Sequence, residues 1–215
     1  MLVQVIQIFF KAPIAGKVKT RLIPNIGVEA SVEVHKRLCD GVIDTVMTFA
    51  ETARQKNSDI ALQVEFWTDL DINHPYIQGK AAQYGVSVYQ QHGKDLGQKM
   101  CFSMAQGLCS ADQVLVVGGD CFSLTEDYLQ SAFDTLSSKD TVFGPADDGG
   151  YILIGATSMS MGLLDNIRWG ESTVLAASMD RVKSFDKSVG LLDMRWDIDT
   201  WGDIQRHAPE LLEGL

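Results

Sequence analysis

Val114-Leu115-Val116-Val117-Gly118-Gly119-Asp120 decides the fold of this chain: four apolar residues run without interruption, two glycines stop them, and one carboxylate follows. A short apolar run bounded by Gln113 and Gly118 fits a strand buried on both faces, the pattern of a central parallel strand in an α/β sheet. Asp120 then falls at the strand's carboxyl end, where open α/β sheets bind their ligands. The glycines let another group approach the backbone there. Capping the next helix, the structural role open to Asp120, is better filled by Thr125, which stands just before the amphipathic pattern of Tyr128, Leu129, Ala132, Phe133 and Leu136. Asp120 is therefore read as a functional residue.

Outward from this strand, apolar periodicity alternates between strand and helix. Leu2–Phe10 reads as a first strand; with no basic lead and with Gln4 and Gln7 inside it, it does not read as a secretory leader. Residues 28–56 read as a long helix striped by Val32, Leu38, Val42, Val46 and Ala50. Strands follow at 60–67 and 86–90, with a short helix at 76–84 between them. Leu96, Met100, Met104 and Leu108 then recur every four residues on a helix. Short strands at 141–143, 151–154 and 189–192 complete the pattern, with a helix carrying Leu175, Met179 and Val182 before the last of them. Such alternation specifies an α/β fold with a mixed, mostly parallel central sheet flanked by helices.

Composition narrows the function. A chain of 215 residues suits one domain, residues 1–215, that buries about 70% of its unfolded surface. Its net charge of −10 argues against nucleic acid or an anionic membrane surface as partner, so an anionic ligand must be held by a local concentration of cations. The four cysteines show neither a CxxC pair nor metal-ligand spacing with the histidines, which points to a reduced, cytoplasmic protein without disulfides.

That cationic concentration lies directly after the first strand. Lys11-Ala-Pro-Ile-Ala-Gly16-Lys-Val-Lys-Thr-Arg21 is broken by Pro13 and Gly16 and places Lys17, Lys19 and Arg21 at a spacing of two. On extended backbone all three point one way, with the Thr20 hydroxyl between them, as a cradle for a polyphosphate. The spacing is not that of a Walker A loop, and no GxGxxG follows the strand.

Three acidic or aromatic features remain. Asp147-Asp148-Gly149-Gly150 is a turn that displays two carboxylates just before Tyr151, and Trp169 stands in a loop where it can stack on a ligand. Asp197 and Asp199 flank Ile198, so on extended backbone they share a side while Ile198 enters the core. Clustered carboxylates need a compensating cation. Asp120, Asp197 and Asp199 make an all-oxygen set suited to Mg²⁺ or Mn²⁺, completed by waters and ligand phosphates.

Phe10-Lys-Ala-Pro-x-x-Gly-x-Val-Lys-Thr-Arg-Leu22, Asp95-Leu-Gly97, Gly119-Asp-Cys121, Gly144-Pro-Ala-x-Asp-Gly-Gly-Tyr151, Trp169 and Asp197-Ile-Asp-Thr200 together resemble the GT-A-type glycosyltransferases that include arsenosugar-biosynthesis members. That family is similar in turn to the phospholactate and molybdenum-cofactor guanylyltransferases. The resemblance implies a Rossmann-like nucleotide-diphospho-sugar transferase fold of about seven strands. It further implies that Lys11, Gly16, Lys17, Lys19, Thr20 and Arg21 bind the phosphates and that Asp95, Leu96 and Gly97 lie near the nucleotide base. By the same resemblance Asp120, Asp197 and Asp199 hold the metal, and Gly149, Gly150, Tyr151 and Trp169 face the acceptor. The chain departs from the family pattern at Phe122, where proline is usual, and lacks the DxD of many glycosyltransferases.

The expected activity is transfer from a nucleotide sugar to a small-molecule acceptor, with Asp147 or Asp148 as base and Lys19 at the reacting phosphates. The alternative is nucleotidyl transfer from a nucleoside triphosphate to a small phosphorylated acceptor with release of pyrophosphate, to which three loop cations are well suited. A binding module that senses a nucleotide without turnover is the remaining reading, supported by the departure at Phe122 alone.

Overall fold

The computed structural model describes residues 1–56 and 59–215. Elements follow in the order β1 (Leu2–Phe10), α1 (Ile23–Lys56), β2 (Ile60–Thr68), α2 (Pro75–Tyr84), β3 (Ser87–Gln90), α3 (Leu96–Gly107), β4 (Gln113–Gly118), α4 (Glu126–Leu136), β5 (Thr141–Pro145), β6 (Tyr151–Ala156), α5 (Val174–Lys183), β7 (Val189–Leu191) and α6 (Trp201–His207), closed by a 3₁₀ turn at Pro209–Leu212. The strands form a seven-stranded sheet in the order β3-β2-β1-β4-β6-β5-β7. Four of its six pairings are parallel; β6 alone runs antiparallel to its neighbours β4 and β5. The mixed, mostly parallel α/β sheet expected from the sequence is thus the fold observed.

The apolar run at 114–117 lies inside the sheet as expected, pairing with β1 from Gln4↔Gln113 to Phe9↔Gly118 and with β6 on its other side. Both faces of the sheet are covered. Phe10, Val42, Ile43, Phe66, Leu115 and Phe133 belong to the core under α1, α2 and α4, while Phe9, Met100, Met104, Val116, Ile154 and Val182 belong to the core under α3 and α5. A third cluster joins Leu22, Val34 and Leu38 to Ile198, Ile204, Ala208 and Leu211, and so fastens the loop after β1 to the chain's C-terminal segment. Among the described residues no helix is long and apolar enough to cross a membrane.

Boundaries shift where tertiary pairing overrides local pattern. One turn precedes the expected long helix, and Gly27 (φ 82°, ψ 173°) breaks the regular helix between them. β5 continues to Pro145 because it pairs antiparallel with β6, with an irregular register at Gly144 and Pro145. Thr125 caps α4 as expected, accepting from the Tyr128 amide.

β1 leads to β2 on one side of the sheet, whereas β4 leads to β5 and β6 on the other. The loops after β1 and β4 therefore part in opposite directions at adjacent strands, leaving a crevice at their carboxyl ends, the usual ligand position in an open α/β sheet. Gly119 makes that junction close. Its amide donates to the Phe9 carbonyl at 2.8 Å, and a Cβ added there would lie 2.6 Å from the Phe10 Cβ.

Candidate functional site

Lys19 is the centre of the crevice. Its side chain is 4% exposed, and its ammonium donates to Asp120 Oδ2 at 2.8 Å, to Asp199 Oδ1 at 3.0 Å and to the Ile198 carbonyl. An ammonium carries three donors, so this set satisfies Lys19 completely. Burial disfavours its charge, but Asp120 and Asp199 more than offset that and hold the group above the ordinary lysine range. For Asp120, burial again opposes ionisation, and Lys19 reverses it, keeping the carboxyl below its usual range.

The loop does not have the extended backbone expected of it. Residues 15–17 form a turn, Gly16 has φ 72° and Lys19 itself sits at φ 43°. A lysine in the left-handed region costs about 1 to 2 kcal/mol relative to ordinary backbone, a strain tolerated where the surroundings fix it, as three acceptors do here. Lys17, Lys19 and Arg21 consequently do not present one row of charges. Lys19 turns inward, while Arg21 stays 66% exposed and pairs with Asp199 Oδ2 at 2.9 Å.

All three nevertheless line one cavity of about 450 Å³, together with Lys11, Thr20, Leu96, Asp120 and Asp199. Lys11 and Lys17 have no carboxylate partner among the described residues. Gly16, Asp95 and Gly97 are not on its walls. Gly16 shapes the turn, Asp95 caps α3 by accepting from the Gln98 amide, and Gly97 is fixed by packing, since a Cβ there would lie 2.6 Å from the Leu164 carbonyl oxygen.

The cavity also includes Phe10, the first residue of the loop motif, and residues that no sequence pattern marked: His35, Asp69, Gln91 and Lys99, the last paired with Asp69 at 3.1 Å. Asp69 directly follows β2, so the carboxyl-edge rule that singled out Asp120 applies to it equally. His35 approaches the Lys11 carbonyl at 2.9 Å, and its burial favours the neutral ring.

A second cavity of about 200 Å³ adjoins the first, sharing Phe9 and Leu96 with it. Its walls include Asp148, Gly150, Tyr151, Trp169, Glu171 and Asp197. Gly149 instead shapes the turn at φ 90°, where a Cβ would lie 2.1 Å from the Ser172 carbonyl oxygen. Asp147 and Asp148 are both exposed, but only Asp148 lines a cavity; its Oδ1 accepts from the Gly150 amide at 2.8 Å. Glu171 is a further wall residue without a signal in the sequence, and Met100, whose periodicity marks the apolar stripe of α3, is another wall residue.

Asp197 and Asp199 straddle the fully buried Ile198 as expected, yet Asp199 lines the larger cavity and Asp197 the smaller. Burial, and then repulsion from Asp120 and Asp199, push the Asp197 carboxyl up to about 7. The expected triad of metal ligands is thus spread around a lysine, and among the described residues no three acidic, histidine or cysteine side chains converge as an ion cage. The chemistry of the donors still suits a hard cation, since Asp120 and Asp199 share one fully engaged ammonium while Asp197 near them has no cationic partner among the described residues. Two carboxylates with waters and ligand phosphates are a common magnesium arrangement. Cys121 beside them is buried, its thiol pushed up to about 12 by burial, and is inert as a nucleophile at neutral pH.

Residues 49–171 match the model of a family described as "Uncharacterized protein conserved in bacteria" (DUF2064). No curated protein matches the chain. Among solved structures, a "putative nucleotide-diphospho-sugar transferase" from Desulfovibrio desulfuricans G20 is 25% identical with a TM-score of 0.81, the match covering 98% of this chain and 89% of that one. A cytidylyltransferase from Leptospira borgpetersenii serovar Hardjo-bovis is 17% identical (TM-score 0.57; 97% and 85% covered). A Mycobacterium tuberculosis H37Rv protein in complex with manganese is 16% identical (TM-score 0.51; 100% of both chains covered). The fold is therefore one that nucleotide-dependent transferases use.

Proposed function

The chain belongs to this bacterial family, DUF2064, and we propose that it is a transferase acting from a nucleotide-activated donor, in the first instance a nucleotide sugar. The observation that carries this reading is the division of the crevice into two adjoining cavities of different charge. Lys11, Lys17, Lys19, Arg21 and Lys99 all line the larger one, and none of the residues lining the smaller one is basic. A donor diphosphate fits the first and an acceptor the second, with Phe9 and Leu96 common to both.

In this reading the acceptor hydroxyl attacks the anomeric carbon of the donor. Its O–H bond breaks, a C–O bond forms, and the bond from that carbon to the diphosphate oxygen breaks. The nucleoside diphosphate leaves with the electron pair, and Asp148, on the wall of the acceptor cavity, takes the proton. Lys11, Lys17 and Arg21 bind the departing phosphates, while Lys19 holds Asp120 and Asp199 in place. A divalent ion, if bound, would sit with Asp120 and Asp197 and supply charge neutralisation to the diphosphate.

Nucleotidyl transfer draws on three free loop cations to hold a triphosphate. Because the Lys19 charge is already engaged by two carboxylates, the loop offers fewer, and the diphosphate donor is favoured. Thermal stabilisation by a panel of nucleotide sugars and nucleoside triphosphates, each with and without Mg²⁺, tests the choice. One ligand at 100 times its Kd stabilises by about 2.7 kcal/mol, or roughly 5 to 11 °C for a chain of this length. A selective shift by one nucleotide sugar supports glycosyl transfer. Selective stabilisation by a triphosphate moves the assignment to nucleotidyl transfer, and a flat panel rejects both.

A further inference from the structure

The smaller cavity is specific about charge as well as position. Its walls are built from Phe9, Met100, Val116, Tyr151, Ile154 and Trp169, most of them buried in the core beneath α3 and α5. Its charged wall residues are Asp148, Glu171 and Asp197, all acidic. A phosphate or carboxylate placed there would face three acidic side chains with no basic residue on the walls, inside a chain that already carries a net charge of −10. The volume of about 200 Å³ is below the roughly 300 to 1,000 Å³ of drug-sized sites, which restricts the occupant to a small molecule or to one ring of a larger one.

We propose that the acceptor is an alcohol that carries no phosphate or carboxylate group, with a compact apolar body that lies against Phe9, Met100 and Val116 beside Trp169. This rests on the two-cavity transferase reading and narrows it, because it excludes a phosphorylated acceptor. Its hydroxyl is the group that reacts, losing its proton to Asp148 as its oxygen bonds to the anomeric carbon and the nucleoside diphosphate departs.

The test uses the full chain, ¹⁵N-labelled, with benzyl alcohol and benzyl phosphate as matched probes. Four tryptophans give four indole signals, and Trp169→Phe identifies the one in the cavity. Benzyl alcohol should move that signal saturably in the millimolar range, and benzyl phosphate should bind there at least tenfold more weakly. Glu171→Lys, at the exposed rim, should narrow or reverse that preference by admitting the phosphate. Equal or tighter binding of benzyl phosphate to the unaltered protein overturns the proposal, and so does the absence of any Trp169 response to benzyl alcohol. Inorganic tripolyphosphate is the separate control, expected to move the backbone amide signals of Lys17, Val18, Lys19, Thr20 and Arg21. If it does not, the nucleotide reading fails on its own, whatever the Trp169 indole reports.

Discussion

The Lys19 ammonium lies 2.8 Å from Asp120 Oδ2, closing a contact between the loop after β1 and the end of β4 that spans 101 positions of sequence. The same ammonium reaches Asp199, 180 positions away, so one buried charge ties the first strand's loop, the central strand and the C-terminal segment together. It is the resident countercharge of the acidic cluster, which gives it a structural task before any catalytic one.

Replacing it should therefore be costly. Lys19→Met leaves Asp120 without a cationic partner and Asp199 with Arg21 alone, and breaking one side of a buried pair typically costs 3 to 5 kcal/mol. Asp120 and Asp199 remain 38% and 45% exposed at the side chain, so water screens part of the loss. We expect about 2 to 3 kcal/mol, a fall in Tm of roughly 4 to 12 °C for a chain of this size. Calorimetry with and without Mg²⁺ checks it, and the ion should restore more stability to the variant than it gives the parent. A variant as stable as the parent would remove Lys19 from the centre of the site.

Asp197 gives a pH dependence of opposite sign to that of an ordinary paired carboxylate. Its folded-state pKa is raised to about 7 from a reference of 3.8, so between those values the folded protein binds the extra proton. Stability contributed through this group falls as pH rises from about 4 to 7, and the penalty is complete above 7. Asp197→Asn removes it. In EDTA the variant should gain stability over the parent progressively across that window, read by urea unfolding at pH 5, 6, 7 and 8. A difference that stays constant with pH rejects the assignment.

The glycine at the strand junction is predicted to be irreplaceable. Gly119→Ala puts a methyl 2.6 Å from the Phe10 Cβ and 3.2 Å from the Phe9 carbonyl oxygen, neither of which is the free end of a flexible side chain. Overpacking of this kind costs about 1 to 3 kcal/mol. Because relief requires moving the end of β4, Asp120 should be displaced, and nucleotide affinity should fall further than stability alone explains. Gly170→Ala is the contrast, with nothing within 4 Å and a penalty from its φ of 86° alone.

The sheet was legible because its strands are self-declaring: Val114, Leu115, Val116 and Val117 admit only a buried strand, and Thr125 stands where only a helix cap belongs. Asp120 and the loop cations were legible for the same reason, since strand ends in this fold point at one edge. What the sequence did not carry was the direction of each side chain once the loop left extended geometry. The spacing of Lys17, Lys19 and Arg21 says nothing of a φ of 43° at Lys19, which depends on acceptors 101 to 180 residues away. Likewise Asp147 and Asp148 are indistinguishable as neighbours in sequence, and only the turn, closed by the Gly150 amide on Asp148, separates them. Lys99 and Glu171 were missed because each becomes part of the crevice only through packing of its own element against another.

Asp148 supplies the sharpest division between binding and turnover. Its Oδ1 holds the Gly150 amide, and asparagine offers a carbonyl oxygen at the same place, so Asp148→Asn preserves the turn while removing the base. General-base catalysis contributes about 10²- to 10⁴-fold, so turnover should fall by that factor while the Kd for the nucleotide donor stays within about twofold. Lys17→Ala should do the reverse, weakening the donor in the larger cavity and leaving the acceptor's KM unchanged. Asp147→Asn, altering an exposed side chain outside both cavities, should change neither. If Asp147→Asn slows turnover and Asp148→Asn does not, the proton leaves by another route, and the placement of the acceptor hydroxyl against Asp148 is wrong.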